Sequence, residues 1–234
     1  MKRFLACLAA ILFPLSAVAI PFDFTTLGSN NTLLGNTVNA GGVKAEGLVF
    51  GPGGQVLTPL WLRNQDDDHG LGVCSEGESA CASGGGDVNE ISDQQNFEGI
   101  RLTLPSNSKW TELWVSSLDS GGTNNNESGI LLWGSDPTFG TIGGVFQFSF
   151  ANFNPDVEGD LLSLNPPGFD PTAPYLLFIN DFTNGSLGEG ANNDYLLWKG
   201  AYTSTLREAP EPGTYLLLAI AFAGLMFSRR RIAI

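Results

Sequence analysis

Carboxylates dominate the chemistry this chain can offer, with 24 Asp+Glu against 11 Lys+Arg and a single His in 234 residues. Their densest run lies between positions 66 and 98. It opens on Asp66-Asp67-Asp68-His69, passes Cys74, Cys81 and a glycine-rich stretch, and continues through Asp87, Asn89, Glu90, Asp93 and Glu98. Cys7 belongs to an N-terminal apolar stretch, so Cys74 and Cys81 are the remaining pair. In an exported protein such a pair oxidises to a disulfide. Glu98 carries a sharper signal. Strand alternation puts it on the same face as Ile100, Leu102 and Leu104, and a carboxylate pointing into a core is costly unless answered. Two arrangements answer it. One is a Ca²⁺ held by the hard oxygens of Asp87, Asn89, Glu90 and Glu98, although no EF-hand spacing is present. The other is a solvated acidic loop with Glu98 paired to an arginine or a backbone amide.

Other chemistries are narrowed by what the chain holds. His69 lacks a serine in a G-x-S-x-G elbow. One histidine with no suitable cysteine pairing does not make a His-based zinc site, so His69 is expected to be an exposed turn residue. The glycine runs lack the Lys-Ser/Thr of a phosphate-binding loop and read as turns. A glycoside-cleaving site needs only two placed carboxylates, which this composition supplies. Five tryptophans, Trp61, Trp110, Trp114, Trp133 and Trp198, are mostly expected in the core, where any exposed one would suit stacking on sugars. Residues 20–209 keep six Lys/Arg and 23 Asp/Glu, a net charge of −17. That charge excludes the basic footprint of a nucleic-acid binder.

The elements that must position these residues are strands. Short β-rich runs at 43–50, 56–63, 97–104, 110–118, 130–133, 145–150, 175–182 and 195–205 alternate with Gly, Asn, Asp and Pro clusters. Phe146, Phe148 and Phe150 share one face, while the continuous apolar run from Tyr175 to Ile179 reads as a central strand. Residues 64–96 read as one long loop, and the proline-bearing stretch 152–174 as a long surface connection. The expectation is an all-β fold, a single antiparallel β-sandwich of jelly-roll type spanning residues 20–205.

Both ends read as addresses. Lys2-Arg3, an apolar stretch and the small residues Ala17-Val18-Ala19 make residues 1–19 a signal peptide cleaved after Ala19, which implies passage through the Sec translocon. At the other end, Pro210-Glu211-Pro212 precedes an apolar run and then Arg229-Arg230-Arg231. A helix over residues 213–228 measures about 24 Å, short against a hydrocarbon core of roughly 30 Å. The arginines extend its reach and mark the cytoplasmic side as a membrane stop.

Glu208 to Arg231 resembles the PEP-CTERM sorting signal of Gram-negative bacteria, a tail also found on certain ice-binding proteins. The Thr-x-Thr ladders of an ice-binding face are missing here. The resemblance implies that exosortase, a membrane-embedded cysteine transpeptidase, recognises Pro210, Glu211 and Pro212 within the 206–231 sorting segment and removes the helix. It also implies a link to exopolysaccharide and biofilm. Gly70-Leu71-Gly72-Val73, Asn89-Glu90-Ile91 and Glu98 are further similar to a stretch recurring in uncharacterised PEP-CTERM exoproteins. The expected protein is thus anchored in the inner membrane before processing and then delivered to the cell surface or extracellular matrix. A non-enzymatic structural or carbohydrate-binding role is expected of it, with a polysaccharide-acting hydrolase or lyase as the rival class.

Overall fold

In the computed structural model, residues 18–65, 68–83, 90–91, 97–118, 120–121, 125–126, 128–149, 160–162, 167–180 and 195–204 are described. The chain divides into two compact units, Met1–Ser204 and Thr205–Ile234, and every described residue belongs to the first. Its strands, in chain order, are β1 (Ala19–Asp23), β2 (Thr32–Leu33), β3 (Thr37–Ala40), β4 (Val43–Gly51), β5 (Gly54–Thr58), β6 (Leu60–Gln65), β7 (Asp68–Val73) and β8 (Phe97–Thr103). They continue with β9 (Ser108–Ser116), β10 (Ser120–Gly121), β11 (Asn125–Asn126), β12 (Ser128–Gly134), β13 (Gly144–Ser149), β14 (Asp160–Leu162), β15 (Tyr175–Asn180) and β16 (Leu196–Ser204). A 3₁₀ turn covers Phe24–Leu27, and a six-residue helix, α1, covers Glu78–Ser83.

The strands form two seven-stranded antiparallel sheets. Sheet A runs β14-β9-β16-β7-β6-β2, with β1 on β16, and sheet B runs β13-β12-β15-β8-β4-β3, with β5 on β4. A small β10–β11 pair stands apart from both. One buried cluster draws on both sheets: Leu60, Leu62, Leu71, Val73, Leu113, Val115 and Leu197 from sheet A meet Ala45, Ile100, Leu102, Leu131, Leu176 and Phe178 from sheet B. Period-two alternation sends these side chains inward and their neighbours outward. Fully buried Tyr195 ties the layers together by donating its hydroxyl to the Ile179 carbonyl at 2.9 Å. The expected all-β antiparallel fold is therefore present.

Local chemistry explains the connections. Gly41 and Gly42, at φ +54° and +88°, form the two-residue turn between β3 and β4. Such a turn needs positive φ at both centres, which glycine supplies.

Three expectations need correction. Residues 56–63 are not one strand. The run breaks at Pro59, which cannot donate to a ladder, and the chain crosses there from β5 in sheet B to β6 in sheet A. Residues 64–96 are not one loop, because β7 lies inside and pairs with β6 from Leu60↔Val73 to Gln65↔Asp68. Likewise β14, within the supposed surface connection, pairs with β9.

Candidate functional site

Five tryptophans share a residue type but not a fate. Trp61, Trp110 and Trp133 are 2–3% exposed. Trp114 and Trp198 are half-buried, on neighbouring strands β9 and β16. Trp114 sits between the core residues Leu113 and Val115, so alternation turns it to the outer face of sheet A. Trp198 owes its place to an irregularity. The register passes from Leu197↔Val115 directly to Lys199↔Trp114, leaving Trp198 as the extra residue of a bulge. Bulges re-aim side chains in this way. The neighbouring strand makes room for it: Gly70 of β7 has φ +131°, and a Cβ there would collide with the Leu197 carbonyl and the Trp198 backbone.

The resulting surface is a cluster of rings around a cation. The Trp114 and Trp198 ring centroids lie 6.0 Å apart at 77°. Lys199 Nζ stands 3.6 Å from the Trp198 ring centroid and 4.8 Å from that of Trp114. The His69 ring lies 5.0 Å from Trp198, its Nδ1 2.9 Å from Asn64 Oδ1. Trp114 donates its Nε1–H to Glu112. Exposed Lys109 lies farther along the same pair of strands, opposite Thr203. His69 is thus not the exposed turn residue expected of it but a half-buried strand residue against an indole.

At the start of β7 a polar network closes the sheet. Arg63 donates to both Asp68 and Glu90. The Ser117 hydroxyl lies 2.8 Å from Asp68 Oδ1 and 3.2 Å from Glu90 Oε1. Ser117 has φ +61°, unusual for a side chain of its kind. The Ser116 hydroxyl accepts from the His69 amide at 3.0 Å and donates to the His69 carbonyl at 2.5 Å. Two carboxylates therefore converge on one guanidinium, which supplies the positive charge a metal would otherwise bring.

The remaining sequence candidates are placed as follows. Cys74 and Cys81 are disulfide-bonded with Cα atoms 6.0 Å apart, and they cover the outward-turned Trp61 together with Leu33. Glu98 is 4% exposed in the phase of Ile100 and Leu102, as alternation requires, and it has interaction partners there. Glu90 is 3% exposed and paired to Arg63. Asp87 and Asn89 lie outside the described residues. Among the described residues, no group of three or more His, Cys, Asp or Glu is disposed to hold a metal ion. The signal segment up to residue 17, Pro210, Glu211, Pro212, the apolar run 213–228 and Arg229, Arg230 and Arg231 also lie outside the described residues. Among the described residues, no helix is long and apolar enough to cross a membrane.

The fold and surface define an all-β domain of two antiparallel sheets that turns an aromatic, lysine-bearing patch outward. Residues 208–231 match the family model for the PEP-CTERM protein-sorting motif, so the chain carries that motif at its C-terminal end. The motif marks an exported protein processed by exosortase. No curated protein and no solved structure matches the chain.

Proposed function

We propose that this exported domain is a non-catalytic carbohydrate-binding component of an extracellular polysaccharide matrix or biofilm, engaging sugar on the outer face of sheet A. The half-exposed pair Trp114 and Trp198 carries the reading: indoles partly exposed on a sheet face suit the apolar faces of sugar rings, while the other three tryptophans are buried. The architecture supports it. Strands β7-β16-β9-β14 and β8-β15-β12-β13 interleave in the order of a jelly roll, a scaffold common among lectin domains.

In this reading residues 1–19 guide the chain through the Sec translocon and are removed, so that the mature domain opens within β1, at Ile20. The helix over 213–228 holds the protein in the inner membrane until exosortase acts at Pro210–Pro212. The domain then passes to the cell surface or the matrix. The test uses the full chain, purified in mild detergent and mixed with the exopolysaccharide of its own host. The expected result is co-sedimentation with no new reducing ends over hours. Reducing ends that accumulate with time would establish the enzyme class instead, and protein remaining wholly in the supernatant would remove carbohydrate binding.

A further inference from the structure

Resting on the carbohydrate reading, we infer that the outer face of sheet A takes an acidic glycan, one whose sugar rings carry carboxylates. The argument begins with the fate of the cations. Among the described residues, Lys44 and Arg101 both pair with Glu46, and Arg63 pairs with Asp68 and Glu90. The two described cations outside any ion pair are Lys109 and Lys199. Both lie on sheet A, on the adjacent strands β9 and β16: Lys199 shares a rung with Trp114, and Lys109 lies farther along on the side away from Trp198.

Lys199 is the better placed. Two indole faces hold its ammonium, a contact that fixes the cation by ring electrostatics and supplies no oxygen acceptor to its three N–H donors. A carboxylate arriving beside a stacked sugar would complete that shell with a charge-assisted hydrogen bond. Lys109 sits opposite Thr203, four residues along β16 from Lys199, or about 13 Å at strand spacing. The face therefore offers two cations in a line, as a polymer with repeating carboxylates requires. Two described carboxylates stand at the patch and work against such a ligand: Glu112, bonded to the Trp114 indole, and Asp23, opposite Lys199 on β1, whose Oδ1 already accepts from the Thr25 amide and hydroxyl. The surrounding charge sharpens selectivity. With a net charge of −17 over residues 20–209, the domain as a whole repels polyanions, leaving this patch as the favourable point of contact.

The experiment compares polygalacturonate with neutral dextran, each binding the full chain in mild detergent with EDTA present to exclude bridging by divalent cations. Polygalacturonate should bind more tightly. Lys199→Gln should weaken it about tenfold and dextran far less, whereas Trp198→Ala should weaken both alike. Glu112→Gln, which keeps an acceptor for the indole, should strengthen polygalacturonate binding about threefold. Unchanged melting temperatures for the two glutamine variants make these readings independent of folding. Equal affinity for the two polymers with no response to either glutamine variant would overturn the acidic class while leaving carbohydrate binding intact. Failure to bind both polymers and the host exopolysaccharide would overturn the two proposals together.

Discussion

The outer faces of the two sheets obey the same alternation and finish in opposite ways. On sheet B the outward charges satisfy each other: Glu46 accepts from Lys44 at 3.0 Å and from Arg101 at 2.9 Å, and Arg101 Nη1 donates to the Pro137 carbonyl at 2.5 Å. The outward apolar residues of that face, Leu48, Ile130, Leu177 and Ile179, form a second cluster with Phe139 from the loop after β12. A recess of about 460 Å³ remains beside Leu48, Leu57, Gln55, Thr138 and Arg101, yet the guanidinium at its wall already serves Glu46 and Pro137. On sheet A the region near Trp61 is closed in the same manner by the disulfide segment. Around Trp198 it is not, for there the rings are half-exposed and the lysines have no acid partner among the described residues. Charges that answer one another hold a fold together, and charges left facing outward are available to something else.

The contrast can be broken at its strongest point first. Arg101→Met leaves the nearly buried Glu46 with only Lys44 and should cost about 2–3 kcal/mol in thermal or urea unfolding, while glycan co-sedimentation stays unchanged. A comparable loss of binding would show that the two faces are not independent. Replacing Cys74 and Cys81 together by serine frees a short loop and should cost about 2.5 kcal/mol, again read in unfolding. It should also bring the fluorescence of Trp61 toward that of a solvated indole.

A smaller effect follows from acid. Burial alone would raise the Glu46 carboxyl, but the hydrogen bonds and charges of Lys44 and Arg101 outweigh it and carry the group below its ordinary value of 4.5. A carboxyl depressed on folding adds stability that is present above the unfolded value and lost as pH falls through the folded one. Stability should therefore decline below about pH 4.5, and Glu46→Gln should flatten that part of the profile. Smallest of all is the response to chelation. With Arg63 already neutralising Glu90, EDTA should leave the melting temperature where it was. A drop of several degrees, absent in Glu98→Gln, would instead establish a calcium site over Asp87, Asn89, Glu90 and Glu98.

Much of the scaffold was readable from residue order, because β8, β13 and β15 carry long, unambiguous alternation or apolar runs. β7 was not. Its two glycines and acidic start look like turn chemistry, and only the close approach of Gly70 to β16 explains why a strand needs them there. The break at Pro59 was hidden because apolar residues continue on both sides of it. The tryptophan–lysine patch was least legible. Strand phase does not place Trp198, the extra residue of a bulge, and counting along β9 loses phase at Thr111, which is skipped between Trp110 and Glu112. Trp61 shows the reverse case, turned outward by phase and then covered by a loop whose fold depends on a distant cysteine pair.

Strand β16 has a mechanical consequence. It bears Trp198 and Lys199 near its beginning and ends at Ser204, from which the backbone runs on toward the sorting segment. Tension between a captured polymer and the tail would travel along this one strand. The covalent backbone would carry the load between Trp198 and Ser204, and only the share that enters through Trp114 would cross the rungs from β9 to β16.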